Sequence, residues 1–204
     1  MSLDKLPVGV FDVILIAVLV LGLMRGRKHG MSEELLQVLE WVCVVVACTF
    51  LYEPIGKMLE QSSPLSLLTC YVVVYIVCML VMLGLFAMIK RSIGGKLLGS
   101  DIFGGAEYYL GMASGMIKFA CILMVGLALL NARYFSSEEI QAMERYQNDV
   151  YGSNYFPGLQ ALQATVFERS VTGAWIKNNL SLLLIKPTVP AGKAIHQREY
   201  ALPR

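Results

Sequence analysis

Residues 65–89 read LSLLTCYVVVYIVCMLVMLGLFAMI, twenty-five positions without a charge, in which the notable polar groups are serine, threonine and tyrosine hydroxyls. Pro64 bounds the stretch on one side and Lys90-Arg91 on the other. A helix rises about 1.5 Å per residue and needs about 20 apolar residues to cross a hydrocarbon core of about 30 Å. Buried helices of water-soluble domains are rarely this long or this uniformly apolar, so the stretch predicts a membrane span. One such span changes how every weaker apolar run in the chain is read.

Three further runs join it. Residues 8–24 are interrupted only by Asp12, residues 35–52 carry Gln37 and Glu40 near their start, and residues 110–130 carry Lys118. The second is the weakest, because its uncharged part from Trp41 to Tyr52 is short enough for a soluble core helix. Beside three other candidates it completes a compact four-span bundle. The expected fold is therefore an all-α integral membrane protein: a four-helix transmembrane domain over 1–130, short amphipathic or interfacial helices over 131–185, and a mobile tail over 186–204.

Composition points the same way. The 204 residues are 56% hydrophobic and 16% charged, with a mean hydropathy of +0.61. That is far from the roughly 25% charge of soluble domains. The net charge of +2, with no basic helix carrying interleaved aromatics, excludes a nucleic-acid surface. The opening MSLDKLPVGVFD balances Lys5 with Asp4, and Leu23-Met24-Arg25 offers no small-residue cleavage site, so the first apolar segment is expected to stay as a helix.

Arg25, Arg27 and Lys28 follow the first run, and Lys90, Arg91 and Lys96 follow the third, whereas the loop between the second and third has only Lys57. The positive-inside rule places the first and third loops in the cytoplasm and both termini on the other side. Eight Lys/Arg spread over the long tail count for less, because charges far from a span have little influence on topology. Arg25, Arg27, Lys28 and His29 would then touch anionic lipid heads.

Charges at membrane depth need partners or water. Asp12 and Glu40 each lie about a turn inside a run and reach either the headgroups or a polar partner. Lys118 sits about two turns past Leu110, where snorkelling alone is a strain. With alternating span directions, a Glu40–Lys118 pair is the expected geometry, and Asp12 needs a water or a hydroxyl. Ser32, Glu33 and Glu34 suit the positive end of the second helix.

Gly22, Gly26 and Gly30 are spaced by four, as are Gly111 and Gly115, so each set shares a helix face that admits close backbone packing. Gly94, Gly95, Gly99, Gly104 and Gly105 suggest a flexible or re-entrant connection. They lack the lysine-serine/threonine ending of a phosphate loop. Cys43, Cys48, Cys70, Cys78 and Cys121 all fall inside the apolar runs without metal-ligand spacing and read as small packing residues. His29 and His196 are far apart, and no serine sits in a nucleophile-elbow setting. The sequence therefore proposes no catalytic residue, metal ligand or cofactor site.

Beyond Asn131, Ser136 and Glu139 stand at capping-box spacing ahead of Ile140 and Met143. A second short helix would put Leu159, Leu162 and Val166 on one face. The run from Trp175 to Ile185 reads as an interfacial helix with Trp175 at headgroup level.

The order of these landmarks resembles the colicin V production protein (CvpA) family. Asp12 in VFDVILIAVLVLGL matches the family's aspartate at the head of span one. Arg25, Gly26, Gly30 and Glu34 in MRGRKHGMSEELLQVLEW match its Arg-Gly turn and the glycine and glutamate that follow. Ahead of span four, Glu107 stands for the usual aspartate, Gly111 and Gly115 agree, and Lys118 stands for an arginine. Tyr108 replaces a basic residue and Phe119 replaces the last glycine. The resemblance covers about residues 8–130. It implies a bacterial inner-membrane protein linked to colicin V production, secretion and envelope homeostasis, with no established chemistry. The leading expectation is a non-enzymatic factor that meets lipids and packs against a homo-oligomeric or secretion partner through its glycine faces. The alternative is a small channel or transporter component with Asp12, Glu40 and Lys118 in a hydrated seam; a membrane-embedded enzyme comes third.

Overall fold

A computed structural model describes residues 9–97, 106–135 and 158–188. The elements in order are α1 (Val10–Ser62), α2 (Leu67–Leu97), α3 (Glu107–Asn131), α4 (Leu159–Phe167), α5 (Val171–Asn179) and a short 3-10 turn (Ser181–Leu183). The predicted capping box at Ser136 and the glycines at 99, 104 and 105 lie outside the described residues. Gly94 and Gly95 belong to α2, so the helix runs further than the glycine cluster suggested.

α1 is two helices joined at one residue. Gly30 has φ +73 and ψ 173, a conformation that an L side chain rarely adopts and glycine enters freely. The chain reverses there. Gly22 lies beside Gly115, Gly26 beside Gly111, and Gly30 beside Glu107, so the limb before the break runs antiparallel to α3. Glu34 then meets Lys118, so the limb after it climbs the same helix again. The second limb runs antiparallel to α2: Tyr52 packs edge-on against Tyr71 with ring centroids 5.4 Å apart, Cys48 Sγ–H donates to the Tyr75 carbonyl, and Glu40 meets Lys90 near the far end.

The stretches Glu34–Ser62, Leu67–Ser92 and Glu107–Asn131 are each long and apolar enough to cross a membrane. Their surfaces agree. Phe50, Met58, Val77, Leu80, Val81, Leu85 and Met88 are exposed on the outside of the bundle, while Asp12, Glu34, Glu40 and Lys118 are buried inside it. A water-soluble protein buries the first group and exposes the second. Lipid reverses the preference, because tails solvate apolar side chains and cannot solvate charges.

Residues 158–188 cover one end of the bundle. Val45, Tyr52, Val125, Ala128, Phe167, Ile176, Leu184 and Ile185 belong to one core, so the short C-terminal elements share the interior of the long helices. Lys186–Thr188, expected in a mobile tail, are hydrogen-bonded instead: Lys186 N–H donates to Tyr52 Oη, and Thr188 exchanges backbone bonds with Ala132 and Tyr134. Lys186 Nζ also reaches Glu53 at 2.7 Å, a bond that holds the ammonium above the usual lysine range.

Candidate functional site: the α1–α3 seam

The two glycine rows face each other within the chain. A Cβ on Gly22 would stand 2.8 Å from the Gly115 carbonyl oxygen, and one on Gly111 would stand 2.6 Å from that of Gly26. Real side chains are excluded at such distances, so the backbones touch directly. These glycine faces are therefore occupied by the chain itself and are not open to a partner, contrary to the expectation that they would form an intermolecular contact. Ser114, between the two α3 glycines, donates to the Gly111 carbonyl at 2.9 Å and so brings no unsatisfied hydroxyl into the seam.

Above the reversal end, the seam closes on charge, with Lys118 about one turn past Gly115. Lys118 Nζ donates to Glu34 at 2.5 Å and to Gln37 Oε1 at 2.9 Å. Glu34 and Lys118 expose 1% and 5% of their surface, so neither reaches water on its own. Glu40 pairs with Lys90 on α2 instead. The expected Glu40–Lys118 pair is thus replaced by two others, for a rotational reason. Gln37 is three residues from Glu34 and shares its face, whereas Glu40 is six residues on, about 120° further round at 100° per residue, and faces a different helix. His29 Nδ1 also lies 3.9 Å from Glu34.

Asp12 sits at the opposite end and is buried. It accepts from the Gly9 N–H at 2.7 Å, from Ser170 Oγ at 2.7 Å, from the Thr172 N–H at 3.0 Å and from the Thr172 hydroxyl. One carboxylate therefore caps the start of α1 and the start of α5 together. Its partners include two hydroxyls, one of the two kinds expected, together with backbone N–H groups. Asp12, Glu40 and Lys118 accordingly fall into three separate clusters and do not converge on a single polar path.

The remaining residues border the seam. Glu107 lies against Gly30, where an added Cβ would stand 3.0 Å from its side chain. Arg25 is exposed and lines a cleft with Lys28 and His29. Tyr108 and Phe119, which replace a basic residue and a glycine of the family pattern, both carry ring–cation contacts: Arg27 over Tyr108 at 4.9 Å and Lys118 over Phe119 at 5.7 Å. Sequence reasoning missed Lys90, Ser170 and Thr172 as partners. A local signal existed for Ser170, which caps α5 by accepting from the Gly173 N–H, but nothing local joined it to Asp12. Among the described residues, no group of three or more His, Cys, Asp or Glu is placed to hold a metal ion.

An all-α bundle with several membrane helices, its charges buried within and its outer surface apolar, defines a multi-pass membrane protein. The chain belongs to the colicin V production protein family, whose model matches residues 11–163. That match continues past residue 130, where the motif resemblance ended, and takes in part of α4. No curated protein and no solved structure matches the chain.

Proposed function

We propose that this chain is a non-enzymatic, four-span protein of the bacterial cytoplasmic membrane that supports production and export of colicin V-type toxins and envelope homeostasis. The observation that carries the reading is the α1–α3 seam. The family-like residues on α1 (Gly26, Gly30, Glu34) meet those on α3 (Glu107, Gly111, Gly115, Lys118) and satisfy one another. Groups so consumed build a scaffold. The limb before Gly30 supplies the fourth crossing, since it spans the height of α3 between Glu107 and the C-terminal cap. Arg25, Lys28, Lys90 and Arg91 gather at the reversal end, which faces the cytoplasm under the positive-inside rule. The capped end, with both termini, faces outward. Lipid meets the apolar outer surface, and an oligomeric or secretion partner engages that surface or the loops, since the glycine faces are filled.

The test is genetic. A strain lacking this protein and carrying a colicin V plasmid should give smaller killing zones on an indicator lawn and greater sensitivity to envelope-disrupting detergents. The wild-type gene should restore both, and a Gly26→Leu gene should not. Unchanged zones and unchanged detergent sensitivity in the deletion strain would overturn the proposal.

A further inference from the structure

Outside the seam, the limb before Gly30 borders an open cleft of about 570 Å³ lined by Leu21, Met24, Arg25, Lys28, His29 and Phe119. Its volume falls within the range of about 300–1,000 Å³ usual for ligand sites. The lining divides by chemistry. Arg25, Lys28 and His29 occupy one helical turn next to the reversal, and Leu21 and Met24 of the same limb and Phe119 of α3 lie deeper. Among the described residues, no acidic residue lines the cleft, and Arg25 and Lys28 have no carboxylate partner. Glu34 lies 3.9 Å from His29 but bonds Lys118 at 2.5 Å. Arg27 faces the other side of the helix, over Tyr108, and takes no part.

We infer that this cleft binds one anionic glycerophospholipid, with its phosphate between Arg25 and Lys28 and an acyl chain along Leu21, Met24 and Phe119. Charge complementarity selects an anion, and the apolar floor that continues from the basic rim selects an anion carrying a hydrocarbon chain. The fixed helix break at Gly30 holds the basic turn at headgroup height, where such a lipid presents its phosphate. The inference needs only the membrane placement of this limb and is independent of any export role.

The experiment uses the full chain in nanodiscs containing phosphatidylglycerol and phosphatidylcholine, with lipids retained after gentle extraction counted by native mass spectrometry. The wild type should retain one phosphatidylglycerol in preference to phosphatidylcholine. Arg25→Gln/Lys28→Gln should lower that preference roughly thirtyfold, from two lost direct hydrogen bonds to the headgroup. Arg27→Gln/Arg91→Gln removes the same charge from the same membrane surface outside the cleft and should leave the preference within about twofold of the wild-type value, as only diffuse surface attraction is changed. Phe119→Ala should weaken retention of phosphatidylglycerol, and excess soluble glycerol phosphate should not displace it. Equal losses in the two double variants would reduce the effect to diffuse surface charge and overturn the site. Displacement by glycerol phosphate would overturn the lipid as its occupant.

Discussion

Glu34 and Lys118, 84 positions apart in sequence, meet at 2.5 Å inside the bundle, each with almost no accessible surface. Their pairing joins the second limb of α1 to α3 about one turn past Gly115, the residue that packs on Gly22 of the first limb. A buried pair of this kind stabilises little relative to apolar side chains of similar volume, but breaking it strands a charge, at about 3–5 kcal/mol. Lys118→Leu or Glu34→Leu should therefore destabilise the protein by about that amount in a detergent unfolding titration. The double variant Glu34→Leu/Lys118→Leu should recover at least half of the loss. Strictly additive losses would show that the two groups do not act as a pair.

The glycine seam predicts a position-specific steric effect. Gly26→Ala forces its methyl into the backbone of Gly111 and should cost about 1–3 kcal/mol or more, as overpacking does. Gly84→Ala and Gly126→Ala add their methyls to open space; each should be neutral or slightly stabilising, by up to about 1 kcal/mol, because alanine is the better helix former. Thermal unfolding midpoints of the three variants in one detergent test this ordering. Equal midpoints for Gly26→Ala and Gly84→Ala would refute close packing at the seam.

The helices were legible in the sequence because membrane length and apolarity are local properties: the uncharged run at 65–89 falls within Leu67–Leu97 but for its first two residues. The spacing of Gly22, Gly26, Gly111 and Gly115 likewise announced close-packing faces. What they packed against was not legible, since a glycine row fits a neighbour in its own chain as well as one in another. The charge pairing failed for a related reason. Depth in the bilayer can be counted along a helix, and it made Glu40 a fair match for Lys118; rotation about the axis relative to two neighbours decides the partner, and that depends on the whole bundle. Asp12 and Ser170 lie 158 positions apart, and no periodicity encodes such a contact.

Asp12 predicts a link between the start of α1 and the C-terminal segment. Asp12→Ala removes the acceptor for donors from Gly9, Ser170, Val171 and Thr172. Hydrogen bonds to a charged group contribute about 1.5–3 kcal/mol each at most and are not additive, so a loss of about 2 kcal/mol or more is expected. The loss should be local. Amide hydrogen exchange should rise several-fold across residues 158–180 and stay nearly unchanged in α2, since Lys186 and Thr188 still tie the far side of the segment to Tyr52 and Ala132. A uniform rise through all helices would mean that Asp12 supports the whole bundle and not this docking.

The reversal at Gly30 predicts which exposed positions share a side of the membrane. Lys28 and Arg91 lie near the turn end, and Glu60 and Glu168 near the capped end, all exposed. Cysteines placed singly at these positions should fall into two classes toward a membrane-impermeant maleimide applied to intact inner-membrane vesicles. Inside-out vesicles should label Lys28→Cys and Arg91→Cys, and right-side-out vesicles should label Glu60→Cys and Glu168→Cys. The native Cys43, Cys48, Cys70, Cys78 and Cys121 all lie within helices and are buried or half-buried, so the background should be low. If Lys28→Cys and Glu60→Cys labelled from the same side, the limb after Gly30 would not cross the bilayer. The glycine break would then be a bend at the surface and not a turn between two spans.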